Sequence, residues 1–176
     1  SCRKVSFWAM LLGKTVLGMR VWDIMRAIDY LETREEVNRN SIGVMGISGG
    51  GMTALFSSAL DERIKAAVVS GYLNTFKDSI LSIHHCECNY VPGILKYAEM
   101  YDIAGLIAPR SLLVESGTKD NIFPIKATEF AISKVRRVYE LLGVPERFDT
   151  DIFEGRHQIS GRKAFEFLRR ELVGEP

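Results

Sequence analysis

Apolar and polar positions follow two different periods along the chain. Residues 19–32 carry Val21, Ile24, Met25, Ile28 and Leu31 on one face at helical spacing. Asn38 and Asn40 then mark a turn. Ser41 to Ile47 (SIGVMGI) is a short apolar run of the kind that forms a strand buried on both sides. A helix is predicted from about Gly50 to Leu60, and Ile64 to Ser70 (IKAAVVS) reads as a second strand. Residues 71–108 are irregular with short helical pieces, punctuated by Pro92-Gly93. Ser111 to Glu115 is a third strand. Pro124 opens a helix at its first turn, where a missing N–H costs nothing. Ala127, Phe130, Ala131, Val135, Val138 and Leu142 make its apolar stripe, and Gly143 closes it. Phe148 to Phe153 is a fourth strand. Ser160 is placed to cap a last helix carrying Ala164, Phe165, Leu168 and Leu172.

Strands that alternate with helices imply an α/β fold: a parallel sheet with right-handed crossovers and helices on both faces, in three α/β/α layers. The expectation is a single domain over residues 1–176, with a cap-like irregular segment at about 71–108. Sheets of this kind bind ligands beyond the C-terminal ends of their strands. Chemistry should therefore sit just after each strand.

Ser48, in Gly46-Ile47-Ser48-Gly49-Gly50, follows the first strand directly and precedes a helix. A serine on so sharp a turn has its hydroxyl exposed. Flanking glycines permit backbone angles and close approaches that side chains would block. The helix start behind it offers free N–H groups and a positive dipole end to a developing oxyanion, with the Gly49 N–H as first donor. A serine hydroxyl is a weak nucleophile and needs a base. His157 lies in a loop after the fourth strand, on the same rim, whereas His84 and His85 lie in the irregular middle. A carboxylate must then fix the imidazole. Asp120, just past the third strand, is the best placed. Glu115 is nearer the strand and could point into the sheet, and Asp149 and Asp151 fall inside the fourth strand. The resulting order is Ser, Asp, His.

With these residues in view, the chain resembles the α/β-hydrolase superfamily, and more narrowly its acetyl xylan esterase and dienelactone hydrolase-like branch. The shared stretches are GISGGGMTAL around Ser48, IAPRSLLVESGTKDNIFP around Asp120 and FEGRHQISG around His157, with CECNYVPGILKY as a further feature. The resemblance implies cleavage of short acyl or acetyl esters through an acyl-enzyme, with no cofactor. It also implies further strands before the nucleophile strand, and an upstream loop with a His-Gly motif that gives the second oxyanion donor. Residues 1–40 contain no His-Gly motif. The expectation is therefore the C-terminal half of such a sheet, four strands where the family has eight. SIGVMGI becomes an unprotected edge strand, which an upstream segment or another copy of the chain would cover. A missing oxyanion donor typically costs about 100- to 1,000-fold in rate, so the chain is expected to be weakly active or inactive alone.

Composition narrows the partners. Apolar residues make up 47% and charged residues 26%, an ordinary globular balance, and the net charge of +1 gives no footprint for nucleic acid or an anionic membrane. The expected partner is a small-molecule ester. Cys2, Cys86 and Cys88 are an odd count and no disulfide framework; free thiols suit a reducing, cytoplasmic setting. His84-His85-Cys86-Glu87-Cys88 invites a metal reading, but adjacent residues rarely all reach one ion and no second ligand pair follows, so no metal is expected. His85, Cys86, Tyr90 and Tyr97 are instead candidates to line a substrate pocket under the cap. Trp8, Trp22 and Met25 read as core or helix packing, and Lys134 to Arg137 as a solvated helix face. Two rivals stand beside the esterase. One is a serine peptidase of the prolyl oligopeptidase type, which usually carries a propeller; the other is a non-catalytic α/β module acting through interactions.

Overall fold

The computed structural model describes residues 1–174. Two helices come first, α1 (Cys2–Leu11) and α2 (Val16–Glu32). Strand β1 (Ile42–Ile47), helix α3 (Gly49–Leu60) and strand β2 (Ile64–Ser70) follow. The segment from 71 to 110 holds two 3₁₀ turns (Glu87–Asn89 and Ile94–Lys96) and the short helix α4 (Met100–Gly105). Strand β3 (Ser111–Gly117), helix α5 (Ile125–Leu141), strand β4 (Phe148–Phe153) and helix α6 (Ala164–Val173) complete the chain. All four strands are parallel, in the order β1-β2-β3-β4.

That order explains the layers. Each crossover steps the same way across the sheet, and crossovers share one hand, so the connecting helices fall on one face. Strand side chains alternate accordingly. Ala67, Val69, Leu112, Val114 and Phe148 join the main core with Leu55 of α3, Ala104 of α4 and Val135 of α5. Ala66, Val68 and Leu113 face the other way and meet Ala164 and Phe167 of α6. Burial on both faces is why these strands read as continuous apolar runs.

Strand β1 is an edge. It pairs with β2 from Ile42↔Ile64 to Ile47↔Ser70 and, among the described residues, has no neighbour on its other side. Its residues after Ile42 are exposed or half-buried, whereas every residue of β3 is buried.

Several local expectations are corrected by packing. The buried stripe of α5 is Ala127, Thr128, Ala131, Val135 and Tyr139; Phe130 and Leu142 are exposed. Tyr139 packs in the main core, and its buried hydroxyl is satisfied by donating to the Arg110 carbonyl at 2.7 Å. Ser160 does not cap α6, which starts after Lys163; the Ser160 hydroxyl donates to Asp151 Oδ2 at 2.6 Å instead. Trp8 and Trp22 are exposed, Trp22 carrying the Arg26 guanidinium 4.3 Å from its ring centroid, while Met25 packs against the core. Much of the irregular segment is core: Tyr72, Leu73, Phe76, Ile80, Met100, Ile103 and Ile107 are all buried in the main cluster. Among the described residues no helix is long and apolar enough to cross a membrane.

Candidate active site

Ser48 sits between β1 and α3 with φ 56° and ψ −117°, the one non-glycine residue of positive φ among those described. Such a conformation costs about 1–3 kcal/mol and persists only where its surroundings hold it. Here the Ser48 N–H donates to the Ser70 carbonyl at 3.0 Å, and the Ser48 carbonyl accepts from the Met52 N–H at 2.8 Å. The turn is so tight that a Cβ on Gly46 would lie 2.4 Å from the Gly50 carbonyl. Gly50 itself has open space where its own Cβ would be, so only the first glycine of the pair is required by close approach. The first N–H groups of α3, from Gly49 onward, have no carbonyl to bond within the helix.

Asp120 and His157 meet. His157 Nδ1 lies 2.7 Å from Asp120 Oδ2. The other Asp120 oxygen accepts from the N–H groups of Ile122 (2.8 Å) and Phe123 (3.1 Å), and the side chain is fully buried. With Oδ2 bonded to Nδ1, Nε2 is the nitrogen turned away from the carboxylate; it is buried and has no hydrogen-bond partner among the described residues. The imidazole stacks on Phe123 at a centroid distance of 5.7 Å and lies over Gly71, where a Cβ would be 3.2 Å from the ring and 3.6 Å from Ile47. His157 and Ile47, the residue before Ser48, thus both border Gly71.

The two loops carrying the pair are tied together. Thr118 N–H donates to the Phe153 carbonyl (2.9 Å) and Lys119 N–H to the Gly155 carbonyl (2.8 Å). A Cβ on Gly117 would come within 2.3 Å of the Arg156 carbonyl, so glycine is needed for the loops to touch. Farther along the His157 loop, Gly161 N–H donates to the buried Glu115 Oε1 at 3.0 Å. Asp151 holds both the Ser160 hydroxyl and the Arg162 guanidinium. Burial pushes the Asp151 carboxyl up, but the Arg162 and Ser160 bonds outweigh it and hold the group below the usual carboxylate range. Glu115 and Asp151 thus anchor the histidine loop from inside the sheet. Phe123, Gly71 and these anchors are positioning residues that local pattern does not reveal, because each acts across strands.

The expected pocket residues divide. His85 is buried against the edge of Phe123 (5.5 Å), with Nε2 3.1 Å from the Ser79 hydroxyl; burial lowers its pKa from the ordinary value. His85 and His157 therefore flank one phenyl ring. Cys86 is exposed and 3.4 Å from Cys88 Sγ. Tyr90 lines a groove of about 410 Å³ with Met10, Ile80 and Pro92, and its hydroxyl donates to the Ile80 carbonyl at 3.3 Å. Tyr97 is 86% exposed. An unforeseen neighbour is Arg20 of α2: its Nη1 is 3.4 Å from the point a Cβ on Gly49 would occupy and 3.5 Å from Cys88 Sγ. A cation therefore stands beside the Ser48 turn.

A four-stranded parallel sheet flanked by helices, with a strained serine after β1 and an Asp–His pair on the loops after β3 and β4, is an α/β fold of the kind found in α/β-hydrolases. Comparisons with known proteins agree. The family "Glucuronyl esterase, fungi" matches residues 3–71. The protein named "Putative hydrolase YtaP" from Bacillus subtilis (strain 168) is 31% identical over 169 residues, covering 93% of this chain and 54% of the relative. The 4-O-methyl-glucuronoyl methylesterase 1 of Wolfiporia cocos (strain MD-104) is 27% identical over 153 residues, 72% of this chain and 37% of the relative. Among solved structures, a carbohydrate esterase family 15 glucuronoyl esterase from Caldicellulosiruptor kristjansonii superposes with a TM-score of 0.76 at 21% identity, covering 93% of this chain and 52% of that one. The glucuronoyl esterase of Sporotrichum thermophile gives 0.73 at 20% identity, over 93% and 53%. The chain spans about half the length, or less, of these relatives.

Proposed function

We propose that this chain carries the nucleophile, base and acid of a serine carboxylic ester hydrolase acting on carbohydrate esters. The observation that supports it most is the strained Ser48 turn on the same sheet rim as a bonded Asp120–His157 pair. His157 Nε2 takes the Ser48 hydroxyl proton as Oγ attacks the ester carbonyl. The oxyanion forms beside the Gly49 N–H and the start of α3, where the Arg20 charge lends further stabilisation. Protonated His157 returns its proton to the leaving alcohol, and the acyl-enzyme is then hydrolysed by a water that His157 activates. Asp120 keeps the proton of the neutral ring on Nδ1 and steadies the cation. This chemistry calls on no cofactor.

The names of the relatives favour esters of sugar acids, the glucuronoyl type, over acetyl groups on sugar hydroxyls. A panel of glucuronoyl methyl esters, acetylated sugars, short acyl esters and peptides separates these classes. Peptide cleavage without ester cleavage would instead favour the peptidase. A fluorophosphonate probe should label the wild-type chain, and Ser48→Ala should abolish that labelling. Equal labelling of the variant would remove Ser48 as nucleophile, and no labelling of either would favour a non-catalytic module.

A further inference from the structure

We propose that Cys2, Cys86 and Cys88 form a three-thiolate site for a thiophilic d¹⁰ metal ion, with zinc(II) as the cation it fits. The three sulfur atoms lie within 4.8 Å of one another, although Cys2 is on α1, Cys86 precedes the 3₁₀ turn Glu87–Asn89 and Cys88 lies within it. Zinc–sulfur bonds of about 2.3 Å set tetrahedral thiolate sulfurs about 3.8 Å apart. Cys86 and Cys88 are at 3.4 Å and no pair is farther apart than 4.8 Å, so the cluster reaches that spacing with shifts of about 1 Å or less. An all-sulfur donor set selects soft cations and rejects magnesium and calcium.

Charge points the same way. Three thiolates on a divalent cation leave one negative charge, and Arg20 Nη1 stands 3.5 Å from Cys88 Sγ to offset it. The neighbouring histidines do not take part: His84 is exposed and outside the cluster, and His85 is committed to Ser79. Three protein ligands leave a fourth position for water, and Cys86 is exposed to solvent. Binding breaks three S–H bonds and forms three metal–sulfur bonds. The protons go to solvent and nothing is oxidised or reduced. The ion would fasten α1 to the segment that carries His85.

Cobalt(II) tests this as a spectroscopic stand-in for zinc. The reduced, chelator-treated chain should develop a thiolate-to-cobalt charge-transfer band that saturates at one equivalent and is bleached by zinc. Cys86→Ser, at an exposed position, and Cys2→Ser should each weaken cobalt binding at least tenfold while keeping the far-ultraviolet circular dichroism of the wild type. Ser48→Ala should bind like wild type, which separates this site from the proposed catalysis. Zinc should raise the Tm of wild type and leave that of the two cysteine variants unmoved. No band in the fully reduced chain, or a band of undiminished affinity in both cysteine variants, would overturn the proposal.

Discussion

Ser48 has the backbone angles of a residue under strain, and the strain is held by what cannot be moved around it. The Gly46–Gly50 approach leaves no room for a methyl group, whereas the Cβ position of Gly50 is open. The two glycines of one motif should thus respond differently. Gly46→Ala is expected to cost at least the ~1–3 kcal/mol of an overpacked core site and to suppress probe labelling, because the turn must open. Gly50→Ala should be neutral or stabilise by up to about 0.5–1 kcal/mol, since it exchanges glycine for a better helix former. Urea denaturation with labelling of both variants decides the point, and equal losses would contradict this account of the turn.

At the level of elements, the histidine loop depends on strands β3 and β4 below it. Asp151 is the chief anchor, through Ser160 and Arg162, and its carboxyl sits below the usual range. Asp61 is also lowered, mainly by its bonds from Arg63. A folded-state pKa below the unfolded one gives stability that is present above the ordinary carboxylate value, about 3.9, and lost as pH falls through the folded value. The chain should therefore lose Tm steeply below about pH 4. Asp151→Asn should lower stability at neutral pH by about 1–3 kcal/mol, a range kept modest because Arg162 is largely exposed, and should flatten part of the acid limb. A Tm–pH profile parallel to wild type would show that Asp151 is not the titrating anchor. The same variant should slow ester turnover more than it weakens substrate binding, because the loop it holds carries His157.

At the scale of the described residues as a whole, the sheet ends on β1, the strand that leads into Ser48. An edge presents unpaired N–H and C=O groups to any other strand. Phe7, Trp8, Met10, Leu11 and Leu12 of the α1 region and Trp22 of α2 add exposed apolar surface, which marks contact sites. The chain is expected to self-associate increasingly with concentration. Sedimentation that reports a monomer across the whole concentration range would mean that the β1 edge is blunted in a way its burial does not indicate.

What the sequence determined by itself was local. Hydrophobic period and turn residues set the element types, four strands within a few residues of their bounds, and the rim on which Ser48, Asp120 and His157 lie, because strand-end loops follow each apolar run directly. The tertiary structure decided which distant side chains meet. Ser160 reads as a helix cap until Asp151 takes its hydroxyl. Phe123 reads as a plain hydrophobe until His157 and His85 pack on it. Cys2 lies far in sequence from Cys86 and Cys88, and Arg20 from Gly49, and each meeting depends on how α1 and α2 dock. Periodicity reports which face of an element is buried, but docking alone fixes what that face touches.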